Sequence, residues 1–214
     1  MITVLVFPLV AKPAESVDEE LRTLRGEGVL VNQGDRLGED GGFKIYNKDN
    51  TVYGVFKSSE DKENIYFYKN NKIQRIKIHK FISIHKIAYF AANKIKEEEN
   101  KYEVYVDGEW KYVYATHGYF FYPSWEKFLV DMAYLMPFDN EKIKIFDKLN
   151  GKLIGEYGND DEIVYKVLKV KGDWVEIECN EAYSGGCGKN PGQYKGWVKW
   201  RIKDKVILDL IYAM

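Results

Sequence analysis

The segments IKIFDKLNGKLIGEY (residues 143–157), YKVLKVKGDWVEI (165–177) and YKGWVKWR (194–201) decide the fold of this 214-residue chain. Apolar positions alternate along them, the period-two pattern of strands with one face on a core. Asn150-Gly151 is a hairpin signal, because both residue types tolerate positive φ. A Gly-Asp-Trp triplet (172–174) and a Gly-Trp-Val triplet (196–198) punctuate the remainder. The stretch reads as short strands joined by turns.

The opening strand 143–146, Gly155, the strand 165–170, Gly172-Asp173-Trp174 and Gly196-Trp197-Val198 resemble the bacterial SH3-like (SH3b) family, a small β-barrel module. About a quarter of the chain is covered. Where the family usually opens with an arginine-serine-glycine-proline run, this chain has Asp147-Lys148-Leu149-Asn150. The resemblance implies a non-catalytic binding module, which bacterial relatives use for cell-wall peptides or for docking to other proteins. SH3 domains receive extended peptides in an aromatic-lined groove. The aromatics beside the long loop, Tyr183, Tyr194, Trp197 and Trp200, are therefore the ligand-binding candidates. Alternation puts Trp197 and Lys199 on one face and Val198 and Trp200 on the other. Trp174 and one of Trp197 and Trp200 are accordingly expected in the core.

The length leaves room for one large domain or two small ones. Seventeen tyrosines and five tryptophans, with few prolines, favour strands over helices. A net charge of −1 supplies no global field toward nucleic acid or an anionic membrane. Residues 2–11 (ITVLVFPLVA) form an apolar run too short to span a bilayer. It has the length of a signal-peptide core, with Leu9-Val10-Ala11 as a cleavage site, but no basic residues precede it. The alternative is a first β-strand.

Residues 15–25 (ESVDEELRTLR) pattern as a short helix, with Ser16 as N-cap and Glu19 completing a capping box. Residues 32–42 are a Gly- and Asp-rich loop. Hairpins are expected at 43–56 around Asp49-Asn50, at 65–78 around Asn70-Asn71, and at 102–114 around Asp107-Gly108. Residues 87–96 (IAYFAANKIK) suit either a strand or a short helix. Residues 123–136 (PSWEKFLVDMAYLM) read as one amphipathic helix, capped by Ser124 and stopped by Pro137. Trp125, Phe128, Leu129, Met132 and Leu135 recur on its one face. A last strand over 206–212 is expected to pair with 197–202.

The two halves also look alike. Residues 43–50 line up with 143–150, and Val52-Tyr53-Gly54 meets Leu153-Ile154-Gly155 one residue out of step. Tyr102-Glu103-Val104 then resembles Tyr165-Lys166-Val167, Gly108-Glu109-Trp110 resembles Gly172-Asp173-Trp174, and Gly118-Tyr119-Phe120 resembles Gly196-Trp197-Val198. One reading is a tandem repeat whose first copy carries an insertion over 57–101. The other is that strand-turn-strand sequences share periodicity and turn chemistry.

Cys179 and Cys187 flank a Gly-containing loop able to meet disulfide geometry. In an exported protein the two form a bridge; in the cytosol they stay reduced. Two thiols with no nearby His or second Cys pair fall short of a zinc site. His79, His85 and His117 are too scattered to form a constellation, and the acidic runs at 60–63 and 97–99 are exposed turns. The basic stretch 69–86 is the solvent face of an amphipathic sheet, with lysines protecting an edge.

The expected fold is mainly β: an N-terminal antiparallel β module (15–122), one linking amphipathic helix (123–137) and a C-terminal SH3-like small barrel (138–214), with residues 1–14 as a signal-peptide remnant. The expected function is non-catalytic binding of a protein or peptidoglycan peptide by an exported periplasmic or cell-envelope protein. If it is not exported, the chain is cytoplasmic. No cofactor, nucleic acid or transmembrane span is expected. Two alternatives are an immunity-type protein neutralising a secreted toxin, and a cell-wall hydrolase with Cys187 as nucleophile and His117 as base.

Overall fold

Alternating apolar residues between Asx-rich turns leave little for helices, and the computed structural model is mainly β, with antiparallel sheets and a half-barrel. It describes residues 23–32, 42–60, 64–78, 80–82, 87–96, 99–115, 120–158, 163–182, 187 and 191–212. The first sheet contains β1 (Gly28–Asn32), β2 (Phe43–Tyr46), β3 (Val52–Ser58), β4 (Ile65–Lys69), β5 (Lys72–Ile73), β6 (Lys80–Ile82), β7 (Ile87–Lys96), β8 (Lys101–Val106), β9 (Glu109–Tyr114) and β10 (Phe120–Phe121). Helix α1 (Trp125–Met132) follows. The second sheet contains β11 (Ala133–Met136), β12 (Lys142–Phe146), β13 (Leu153–Gly158), β14 (Tyr165–Lys171), β15 (Trp174–Cys179) and β16 (Gly196–Lys199). A small ribbon, β17 (Arg201–Ile202) with β18 (Lys205–Val206), precedes β19 (Asp209–Tyr212), which rejoins the second sheet.

The hairpins form where the turn residues call for them. Asn50, Asn70, Asn71, Asp107 and Asn150 all take positive φ, and Gly108 follows Asp107 at φ 87°. Residues 87–96 are a strand, which settles the ambiguity in their pattern. Two expectations fail. The helix stops at Met132, because 133–136 alternate as well as they repeat at helical spacing, and as β11 they pair with both β14 and β19. The last strand does not pair with 197–202 throughout: Lys205–Val206 pairs with Arg201–Ile202, while β19 pairs with β11. The helix expected at 15–25 lies mostly outside the described residues. Its described end is not helical, and Thr23 makes an isolated bridge to Lys205.

The two sheets share one strand order. The first runs β3-β2-β9-β8-β7-β1-β10 and the second β13-β12-β16-β15-β14-β11-β19. The chain visits these seven positions in the same sequence each time, always antiparallel. The opening hairpins match to the residue. Phe43, Lys44, Ile45 and Tyr46 face Phe56, Val55, Gly54 and Val52; Ile143, Lys144, Ile145 and Phe146 face Tyr157, Glu156, Gly155 and Leu153. Each carries a register shift at the same place, between the third and fourth pairs. The first sheet adds β4 to β6, and the second adds the ribbon.

Beyond the first hairpin, register pairs the halves differently from sequence likeness. Tyr46 faces Tyr112 as Phe146 faces Trp197, so β9 stands where β16 does, β8 where β15 does and β7 where β14 does. Tyr102-Glu103-Val104 thus lies at the β15 position rather than the β14 position. The counterpart of Trp197 is Tyr112, while Phe120 lies on β10, at the β19 position. The turns Asp107-Gly108 and Gly172-Asp173 look alike because tight hairpins draw on few residue types, yet they close different strand pairs.

Burial follows the register. Leu30 and Leu135, Ile45 and Ile145, Phe90 and Tyr165, Val104 and Ile177, and Val113 and Val198 are all buried at matching positions. One core lies within the first sheet around Ile45, Phe56, Phe67, Phe90 and Val104. The other joins the inner face of the second sheet to Trp125, Phe128 and Leu129 of α1 and to Val29, Val31, Tyr89 and Ala91. Ser124 accepts the Lys127 N–H at 3.3 Å, and the Trp125 indole donates to the carbonyls of Arg25 and Gly26 at 3.2 and 3.3 Å.

Gly54 and Gly155 occupy the same place opposite Ile45 and Ile145, each under an aromatic ring. A Cβ built at Gly54 falls on the Phe67 ring, and one at Gly155 on the Tyr157 ring. Gly54→Val and Gly155→Val should each lose about 1–3 kcal/mol by overpacking. Urea midpoints read this, and an unchanged midpoint in either variant would refute the shared packing role.

Candidate binding face

The outer face of the second sheet collects aromatics because β12, β15 and β16 present alternate residues there. Phe146 faces Trp197, Trp197 faces Glu176, and Lys199 faces Trp174. The Phe146 and Trp174 rings meet edge-on at 5.3 Å, and the Lys199 ammonium lies 5.5 Å from the centre of the Trp174 ring. The three aromatics are half-buried and Lys199 is exposed. At one end Glu178 accepts from Lys166 at 2.7 Å and from Lys195 at 3.2 Å. The Lys166 hydrogen bond chiefly holds the Glu178 carboxyl below its usual range. At the other end Arg201 pairs with Asp173 at 2.8 Å.

The first sheet carries the same strip in the same register. Tyr46 faces Tyr112, Tyr112 faces Glu103, and Tyr114 faces Lys101. Tyr46 meets Tyr114 edge-on at 5.6 Å, and the Lys101 ammonium lies 4.6 Å from the Tyr112 ring centre and 5.5 Å from that of Tyr114. The cross-strand pair Trp174–Lys199 is matched by Lys101–Tyr114, with cation and ring exchanged between strands. Both sheets therefore show a half-exposed aromatic strip flanked by one lysine and one glutamate.

Of the four aromatics expected from the sequence, the three described ones point to different places. Trp197 lies on the outer strip. Trp200 is 1% exposed and its indole donates to the Gly172 carbonyl at 3.0 Å, so it is a core residue with no face for a ligand. Tyr194 packs at the rim of the inner core against Tyr157, ring centres 4.6 Å apart. Tyr183 lies outside the described residues, as do all three histidines. Trp174, expected in the core, instead lies half-buried on the outer strip, and Phe146 is not singled out by the sequence as a partner of Trp197. Their assembly depends on which strands neighbour one another, although both residues stood within the quoted segments.

A separate polar site was also missed. A groove of about 590 Å³ is lined by Asn47, Lys48, Asp49, Glu109, Trp110 and Lys111. Lys111 is 7% exposed, and its ammonium binds the Glu109 carboxylate at 2.6 Å. It also lies 4.4 Å from the centre of the Tyr53 ring, with the Lys69 ammonium 3.9 Å from the same centre. The Tyr53 hydroxyl donates to Asp107 at 2.6 Å; burial, then this bond, pushes its pKa well above the ordinary phenol value. Nothing in the spacing of Tyr53, Asp107 and Lys111 along the chain marks them as neighbours.

Among the described residues no group of three or more His, Cys, Asp or Glu is placed to hold a metal, and no helix is long and apolar enough to cross a membrane. Cys179 and Cys187 are bridged, with Cα atoms 5.8 Å apart and both residues buried. The bond ties the end of β15 to the following loop. Reduction should lower stability by about 2–3 kcal/mol through the freed loop of the unfolded chain. Chemical denaturation with and without reductant measures this, and coincident midpoints would refute it. No family model, curated protein or solved structure matches the chain.

Proposed function

We propose that the chain is a non-catalytic binding protein of the bacterial cell envelope, whose C-terminal half is an SH3-like module engaging an extended cell-wall peptide or protein segment. The observation that carries this reading is the Phe146–Trp174–Trp197 strip, half-exposed and flanked by Lys199 and Glu176. Half-exposed aromatics offer large contact area at low conformational cost, which is why they dominate binding hot spots. The disulfide supports residence in an oxidising compartment. The apolar run at residues 2–11 supports export, read as a signal.

Sedimentation with purified peptidoglycan sacculi tests the reading. The wild type is expected in the pellet, and Trp197→Ala should bind about tenfold more weakly, the loss typical of a hot-spot aromatic. Thermal melting of the variant controls for folding. Equal sedimentation of the two proteins would remove the strip from the binding site. A wild type that stays in the supernatant, but recovers one tight protein partner from periplasmic extract, would favour an immunity-type role.

A further inference from the structure

The groove beside Lys111 is independent of the aromatic strip. Lys111 is the one buried charged residue among the described residues, while the carboxylate that neutralises it is 70% exposed. A buried ammonium is costly without a partner. Here that partner and Lys111 itself both line the groove.

The fold itself does not call for this lysine. Lys111 faces Val104 as Gly196 faces Ile177, so the second sheet builds the same strand position with glycine. The neighbours change together. By the same register Tyr53 corresponds to Ile154, Trp110 to Lys195 and Glu109 to Tyr194. One of two sheets with a common strand order has thus acquired a cation, an aromatic platform and a carboxylate at one spot. Strand pairing explains none of them.

The Tyr53 ring is anchored through its hydroxyl. Asp107 accepts the Tyr53 hydroxyl through one oxygen and the Lys77 N–H, at 2.7 Å, through the other. Asp49 is committed to its own turn, accepting the Thr51 N–H at 3.0 Å and hydroxyl at 2.6 Å. Glu109 has no such fixture. Its carboxyl is held below the usual range, first by the Lys111 hydrogen bond and charge and then by Lys69 and Lys48. Three ammonium groups therefore favour negative charge at the spot Glu109 reaches. Trp110 also lines the groove, its indole turned to the opposite sheet face from Lys111 and edge-on to Tyr105 at 5.4 Å. A groove of this size suits a carboxylate carried on a chain better than a bare ion.

We propose that this groove binds an acidic peptide, whose carboxylate takes the place of Glu109 on Lys111 while the adjoining backbone lies along the 47–49 turn. Glu109 is then an internal competitor, and its removal has a sign that a purely structural role does not share. The probes are fluorescein-labelled oligoglutamate, with oligolysine of equal length as control, read by fluorescence anisotropy on the full chain. Oligoglutamate should bind saturably and oligolysine should not. Lys111→Met, which keeps the aliphatic stem, should weaken binding about tenfold or more. Glu109→Gln should lower the melting temperature yet strengthen oligoglutamate binding.

Unchanged or weaker binding by a folded Glu109→Gln variant would overturn the proposal, as would oligoglutamate binding indifferent to Lys111→Met. If Lys111→Met does not fold, the Glu109→Gln result decides alone. Inorganic phosphate displacing the probe at lower concentration than acetate would overturn the carboxylate assignment. Trp197→Ala should leave oligoglutamate affinity intact, so failure here and failure of the outer strip are read separately.

Discussion

The burial of β1 on both faces is the constraint on which the rest of this structure depends. All five of its residues are buried, and its three central apolar residues divide between two cores. Leu30 points into the first sheet with Phe90 and Ala92, while Val29 and Val31 face α1 and the second sheet with Tyr89 and Ala91. An antiparallel strand normally has one wet face and alternates accordingly. Here Val29-Leu30-Val31 is apolar without alternation because its second face is roofed by Phe128 and Leu129. The Phe128 and Tyr89 rings meet at 5.9 Å.

That arrangement sets the surfaces available for binding. The helix covers one side of the first sheet at β1 and β7, and the aromatic strip of that sheet lies beside it on β2, β9 and β8. The strip of the second sheet lies on β12, β16 and β15, on the face away from the helix. The two strips keep the same partners in the same register and exchange a ring for a cation across one strand pair. Such an exchange preserves the interaction between an ammonium and an aromatic face while altering which strand supplies each. The inner-facing positions differ more sharply. Where the second sheet has Gly196 and Ile154, the first has Lys111 and Tyr53, and only there does a charge enter a buried site among the described residues.

Much of the fold was legible. Asx-Gly and Asn-Asn turns give local hairpins, and their register follows from the turn itself, so β2–β3, β4–β5, β8–β9 and β12–β13 were all readable. The likeness of 43–54 to 143–155 was a true guide, because it includes the bulge and the glycine under an aromatic ring. Farther along, likeness misled. Gly108 and Gly172 are both turn glycines, but sequence does not say which two strands a turn joins within the sheet order. Ala133-Tyr134-Leu135-Met136 was misread for a related reason: a four-residue apolar segment fits helix and strand alike until its neighbours are known.

By itself the sequence determined the β class, the positions of the hairpins and the cysteine pair close enough to bridge, because these depend on residues near one another in the chain. Tertiary structure decided which strands are neighbours, and hence that Phe146, Trp174 and Trp197 share a face while Trp200 turns inward. It alone brought Tyr53, Asp107, Glu109 and Lys111 together. Side-chain alternation fixes two faces for every strand, but only the packing of other layers decides which face meets water. The charge on Lys111 is ordinary in the sequence and becomes distinctive because the surrounding sheet buries it.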